Sequence, residues 1–352
     1  ADQGRFTVMK EGVTVTVLDQ NSELQDDPRA ATTHPATLEV LDGLGVIDQV
    51  IEQGLVAEEF EFWDRPTGEK VATFDHAALA DDTKFPFVVQ CEQFKLTKIF
   101  LAKLQGEDTA TILFNHDVTA IDHTPDGVTV TATTPDGVQT FEGDWLIGAD
   151  GGRSTIRKEL DIGFEGHTYP DRILVMGTTL DLRTVLPDLA FVNYVSDPVY
   201  YGHILKIPDL WRMSTPIQDD MSDEEALRDE EIEKRLRKVI PDLKLPDIMV
   251  RGVYTAHQRV ADSYRKGRAF LAGDAAHLNN PKGGMGLNGG MHDAFDLCAR
   301  LVKIQQGESD AAELDGYETL RRPEAVNDIH RQTQQNIKNL TVSGEDARAQ
   351  LF

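Results

Sequence analysis

Apolar positions along the chain recur with two periods, and each period predicts a different kind of element. A strand is expected from Gly12 to Asp19, where β-branched residues alternate and the run ends on an acid. Leu146-Ile147-Gly148-Ala149 and Ala269-Phe270-Leu271-Ala272 read as short buried strands. Val128 to Ala132 and Val138 to Phe141 alternate around Pro135-Asp136-Gly137, which predicts a hairpin. Helical spacing predicts helices over Pro35 to Leu44, through Leu96, Ile99, Phe100, Leu101 and Leu104, and from Leu287 to Ile304.

The middle of the chain changes character. Residues 56–90 read as strands and loops, with Phe60, Phe62 and Trp63 in the core. Strand patterns then crowd together at Leu174-Val175-Met176, Leu180-Asp181-Leu182, Ala190 to Val195, Tyr200 to Ile207 and Trp211 to Ile217. Ser222-Asp223-Glu224-Glu225 is a capping box that opens an amphipathic helix to Val239. From Leu301 onward the pattern is helical, and strongly polar after Gln305. The whole predicts an α/β fold with an α+β insert, whose mixed or antiparallel sheet lies over the parallel one.

Two of the strands deliver an acid into a glycine turn. Gly273-Asp274-Ala275-Ala276-His277 follows one, and Pro281-Lys282-Gly283-Gly284-Met285-Gly286-Leu287-Asn288 leads into a helix. An acid accepts hydrogen bonds from ligand hydroxyls, glycines let backbone N–H groups approach, and a helix N-terminus favours negative charge. Upstream, Trp145 to Ala149 ends in Asp150-Gly151-Gly152-Arg153-Ser154-Thr155-Ile156-Arg157, a second strand-to-helix turn with Ser154 placed as N-cap.

These two motifs resemble those of the single-component aromatic hydroxylases, the para-hydroxybenzoate hydroxylase type of FAD-dependent monooxygenase, and the similarity runs to Arg321-Arg322-Pro323. The resemblance implies a Rossmann-like FAD-binding domain interleaved with a substrate domain. Its FAD-binding parts are 1–60, 91–165 and 256–305, its substrate segments 61–90 and 166–255, and 306–352 is a helical C-terminal segment. It implies that Asp274, with Gly273, binds the ribityl chain. Pro281, Gly286, Leu287 and Asn288 lie against the isoalloxazine ring, and Asp150 is linked to both FAD and nicotinamide use. Arg29 is expected on the pyrophosphate, Gln93 on the flavin (Gln90 in the alternative register), and Asp19 on the adenosine ribose.

The implied reaction is hydroxylation of a small phenolic or related aromatic compound by O2. NADPH or NADH, as transient co-substrate, reduces FAD, and a flavin C4a-hydroperoxide hydroxylates the ring. Pro281 is expected on the reactive side. Tyr200, Tyr201, His203, Arg212 and Met213 lie on strands that would roof the flavin. Arg212 is expected to pair with a substrate carboxylate, and Tyr201 or His203 to assist phenol ionisation. An epoxidase, a ring-opening monooxygenase, a reductase and a non-catalytic remnant that has lost FAD remain the alternatives.

Only Ala1 to Lys10 precede the first strand run, with a lone Gly4 and with Phe6 to Glu11 readable as the tail of a crossover helix. The first strand and Gly-x-Gly-x-x-Gly loop expected of the dinucleotide unit are therefore not found in this sequence. A natural segment ahead of residue 1 is the expectation, because a parallel sheet without its central strand leaves backbone groups unpaired. Real loss of the loop is the alternative.

Composition narrows the partners. The chain has 352 residues, 35 Lys and Arg against 60 Asp and Glu, and a formal net charge of −25. Such a chain is repelled by nucleic acid and anionic membranes. Cys91 and Cys298 are too few for a disulfide scaffold, and His34, His257 and His277 lack partners at metal-ligand spacing. His277 reads as a packed, hydrogen-bonded residue. No signal peptide or membrane-spanning run is evident, so a cytoplasmic protein is expected, with a homodimer allowed.

Overall fold

The computed structural model describes residues 13–26, 30–217, 221–241, 243 and 247–351. Arg29, and the residues 6–11 read as a crossover-helix tail, lie outside the described residues.

Elements follow in chain order. The first half contains β1 (Val15–Leu18), β2 (Thr32–Thr33), α1 (Pro35–Gly43), α2 (Ile47–Gln53), β3 (Leu55–Ala57), β4 (Glu59–Asp64), β5 (Glu69–Asp75), β6 (Val88–Gln90) and α3 (Gln93–Leu104). Next come β7 (Ala110–Leu113), β8 (Asp117–His123), β9 (Val128–Thr134), β10 (Gly137–Gly143), β11 (Leu146–Gly148) and α4 (Thr155–Glu159). The insert holds β12 (Phe164–Thr178), β13 (Val192–Ser196), β14 (Gly202–Ile207), β15 (Leu210–Ile217), α5 (Asp223–Ala226), α6 (Asp229–Val239) and β16 (Ile248–Ala261). The chain ends with β17 (Arg265–Lys266), β18 (Ala269–Leu271), β19 (His277–Leu278), α7 (Met285–Gln305), α8 (Asp315–Pro323), a π-helical turn at Glu324–Ile329, α9 (His330–Leu340) and α10 (Glu345–Leu351).

Two parallel pairs mark the α/β part, β1 with β7 and β11 with β18. The insert forms an eight-stranded mixed sheet in the order β19-β16-β12-β15-β14-β13-β4-β5, so β4 and β5 from the first half join the later strands. One core gathers Phe270, Leu271, Leu297, Leu301 and Tyr317 around β18 and α7. A second packs α1 and α2 on α3 through Leu38, Leu41, Val50, Leu96 and Phe100, with Cys91 and Met291. A third lies between the large sheet and α6, through Leu174, Trp211, Met213, Ile232 and Leu236. No helix among the described residues is long and apolar enough to cross a membrane.

The structure differs from the sequence pattern in two places. Leu180-Asp181-Leu182 is no strand: Asp181 caps a 3₁₀ turn at Leu182–Thr184, and its carboxylate also accepts the Trp211 indole N–H at 3.2 Å. The helix read as continuous to Val239 is two helices. Arg228 is extended at the break, and Arg251 of β16 donates to the Leu227 carbonyl at 2.8 Å. The Ser222 capping box is present as expected.

Candidate active site

Strand pairing brings the two acidic turns together. In the parallel pair Gly148 stands opposite Leu271, and the Ala272 N–H donates to the Gly148 carbonyl at 3.0 Å. Parallel strands release their chains at one edge, so Asp150 and Asp274 emerge side by side. Gly148 is required by closeness: a Cβ there would sit 2.7 Å from the Ile156 side chain.

Asp150 organises its own turn. Its carboxylate accepts the Ser154 hydroxyl at 2.6 Å and the Ile156 N–H at 3.1 Å, and Ser154 caps the Arg157 N–H at 2.9 Å. Arg157 then links the turns. Its guanidinium donates to the carbonyls of Gly152 and Ala275, both at 2.8 Å, and stacks on Phe164. Burial lowers the Arg157 pKa, and Asp150 works against that.

Behind the second turn lies a buried ionic group. Asp293 of α7, with no exposed surface, accepts the Gly273 N–H at 3.0 Å, His277 Nε2 at 2.6 Å and Arg321 Nε at 2.8 Å. Burial opposes charge on both Asp293 and His277. Their attraction wins, holding Asp293 below the usual carboxylate value and His277 above that of a free imidazole. Asp274 itself is exposed.

The start of α7 is built to receive negative charge. Gly283 and Gly284 take positive φ values of 99° and 66°, the Gly284 N–H returns to Pro281 at 3.1 Å, and no side chain caps the helix. The N–H groups of Met285, Gly286 and Leu287 are left for a ligand, and a Cβ on Gly286 would meet nothing within 4 Å. The Asn288 side chain holds this start in place. It accepts the His34 N–H at 2.9 Å and donates to the carbonyls of Thr32 at 3.0 Å and Gly284 at 2.7 Å. His34 is pushed down to about 4, chiefly by burial, and is neutral. On the adjoining β2–β6 ladder, Gln90 Nε2 and Thr33 Oγ1 are buried without a hydrogen-bond partner. Orphan polar atoms beside an uncapped helix start fit a polar ring edge. Gln93 begins α3, half-buried, its N–H on the Ala30 carbonyl at 2.9 Å. Asp19 directly follows β1, its carboxylate accepting the Asn21 N–H at 2.8 Å.

The large sheet supplies the other wall. On β15, Trp211 and Met213 face the core against α6, so Arg212 and Ser214 point the other way. His203 of β14 joins them, its Nδ1 2.9 Å from the Ser214 hydroxyl. His203 is pushed down to about 3, first by burial and then by Arg212 and Lys282, so it is a neutral imidazole between two cations. Burial also lowers Arg212. Tyr201, just before β14, donates its hydroxyl to Asp171, and burial raises its pKa. Tyr200 turns elsewhere, under the Arg65 guanidinium.

Pro281 is exposed in the loop joining the two walls. Three residues without an assigned role in the sequence reading prove central: Arg157, Asp293 and Lys282. Asp293 carried a signal, a lone acid on the apolar stripe of Met291, Ala294 and Leu297. Arg157 and Lys282 carried none, because a surface-type residue in a short helix or a loop does not announce burial.

A family model described as an FAD binding domain matches residues 7–332. Para-nitrophenol 4-monooxygenase of Pseudomonas sp. strain WBC-3 is 30% identical over 318 residues, 89% of this chain and 78% of that protein. The 6-hydroxy-3-succinoylpyridine 3-monooxygenase of Pseudomonas putida S16 is 33% identical over 335 residues, 94% of this chain and 84% of its own. The crystal structure of p-nitrophenol 4-monooxygenase from Pseudomonas putida DLL-E4 superposes with a TM-score of 0.93 at 29% identity, covering 99% of this chain and 88% of that one. The FAD-binding fold, the two motifs on one sheet edge and these relatives together place the chain in the FAD binding domain family, as an FAD-dependent monooxygenase of the aromatic hydroxylase type.

Proposed function

We propose that the enzyme hydroxylates a small phenolic compound, using O2 and electrons from NADH or NADPH. The observation that carries this reading is the uncapped start of α7, set between the paired acidic turns and a buried cationic sheet face. The relatives' names support the substrate class, since the substrates they state are a nitrophenol and a hydroxylated pyridine.

Bound flavin would supply hydride acceptance from the nicotinamide and activation of dioxygen toward the ring. The chain's own residues do the rest. Asp274 accepts hydroxyls of the ribityl chain, and the N–H groups of Met285, Gly286 and Leu287 favour negative charge on the ring edge. Arg157 and Asp293 hold the two turns in register. Pro281 stiffens the loop and offers no N–H that would compete there. Arg212, Tyr201 and His203 line the substrate wall, where neutral His203 can accept a hydrogen bond from a phenol. Burial of this wall excludes water. Segments 1–60, 91–165 and 256–305 thus hold the cofactor, and 61–90 with 166–255 cover it. The two buried free thiols support a reducing, cytoplasmic setting.

The test is direct. Protein loaded with FAD should show flavin absorption, oxidise NAD(P)H faster with a phenol, and place one atom of labelled dioxygen in the product. Faster NAD(P)H oxidation with no label in any product would overturn the reading in favour of a reductase.

A further inference from the structure

The side chain of Lys282 is a buried cation set against an aromatic ring. It is 8% exposed, and its Nζ lies 3.8 Å from the centroid of the Tyr201 ring. Nζ makes no hydrogen bond and no ion pair among the described residues. Burial pulls the ammonium down to about 8, and Asp171 alone acts to raise it. That carboxylate is already engaged by the Tyr201 hydroxyl. Tyr201 lies under Lys282, Asp171 of β12 acts on its charge, and Lys282 together with Arg212 of β15 acts on His203 of β14. Asn336 of α9 holds its backbone carbonyl at 3.3 Å.

Burying an unpaired ammonium costs several kcal/mol, whereas a methionine would fill the same volume without that cost. The position explains the expense. The Lys282 backbone lies between Pro281 and Gly283, in the loop that leads into α7, while its side chain reaches Tyr201 and His203 on the substrate wall. An anion placed between the two walls would meet it. A compact ammonium suits one oxygen, whereas the planar fork of Arg212 suits a group with two.

We propose that Lys282 recognises the phenolate oxygen of the substrate and holds the ring in its ionised, nucleophilic form. This rests on the phenol hydroxylase reading. Lys282 stays protonated throughout: the phenol proton goes to solvent, and no bond to the lysine forms or breaks.

The test uses FAD-loaded enzyme without NAD(P)H, so nothing turns over, and 2-, 3- and 4-nitrophenol as probes whose anions absorb visible light. In the wild type a bound probe should ionise at least about one pH unit below the free probe. Lys282→Met should abolish that shift and weaken phenolate binding about tenfold, while Lys282→Arg retains part of both. FAD absorption and circular dichroism of the variants show whether they are folded. An unshifted probe in the wild type, the same shift in Lys282→Met, or no bound anion with any of the three probes overturns the proposal. If labelled oxygen still enters a phenol in that case, the hydroxylase reading stands without Lys282. If the loaded enzyme oxygenates no phenol, that reading falls and this inference with it.

Discussion

Arg157 Nη1 donates to the carbonyl of Ala275 at 2.8 Å across 118 residues of sequence, fastening the first acidic turn to the second. The same guanidinium holds Gly152 on its own side. Arg157→Ala would leave two carbonyls without their charged donor, a loss of about 2–4 kcal/mol. Urea denaturation should read that loss, and FAD affinity should fall with it. Arg157→Lys keeps the charge but not the fork, and should recover less than half. Unchanged FAD affinity in Arg157→Ala would show that the turns keep their register unaided.

The Asp293–His277 pair predicts a pH window. The lowered pKa of Asp293 contributes stability that is present above its ordinary value of 3.8 and lost as pH falls through the folded value. The raised pKa of His277 contributes stability that is complete below 6.5 and lost as pH rises through its folded value. The pair's own contribution should therefore plateau between those two values and decline on the alkaline side above 6.5, while His34 and His203, held neutral by burial, add a separate loss of stability as pH falls below 6.5. Asp293→Asn leaves buried Arg321 without its carboxylate and should cost about 3–5 kcal/mol. In that variant the alkaline decline should disappear. Thermal melts from pH 4 to 9 decide it, and an alkaline slope that persists in Asp293→Asn would assign it to other groups.

Asn288 predicts an electrostatic effect on the cofactor. Asn288→Asp keeps an acceptor for the His34 N–H but loses the donors to Thr32 and Gly284. It also places a negative charge in the first turn of α7, where the flavin ring edge is expected. FAD binding should weaken by about tenfold or more, and the potential of the bound flavin should become more negative. Fluorescence titration and a spectroscopic redox titration measure the two effects. A potential equal to the wild type's would place the ring edge away from this helix start.

Charge predicts a salt response. A net charge of −25 opposes the compact state through self-repulsion, which salt screens. Melting temperature should climb as KCl is raised from 0.05 to 1 M (about 14 to 3 Å of screening length). A flat or falling curve would mean that acidic and basic groups are already well interspersed on the surface.

Much of this protein is readable from local rules. The strand at Ala269–Leu271 and the helix after Gly284 follow from an apolar run and a glycine start, and the Ser222 cap follows from its own four residues. The errors arise where a distant residue decides. Leu180-Asp181-Leu182 has a strand's alternation, but Asp181 bonds to Trp211 and bends the chain. Nothing local marks a break at Arg228, a good helix former; Arg251, held on a strand 23 residues later, competes for the Leu227 carbonyl.

Sequence alone determined the two acidic turns and the strand-helix order around them, because glycine turns, caps and apolar periods act over a few residues, and the family resemblance those turns carry implied the cofactor class. Only the tertiary structure decided that Arg157 joins those turns, that Asp293 carries a buried charge with His277 and Arg321, and that Lys282 points inward at Tyr201. The physical reason is range. Periodicity and capping are properties of neighbours in the chain, whereas burial, desolvation and ion pairing depend on which distant segments come to share one low-dielectric space.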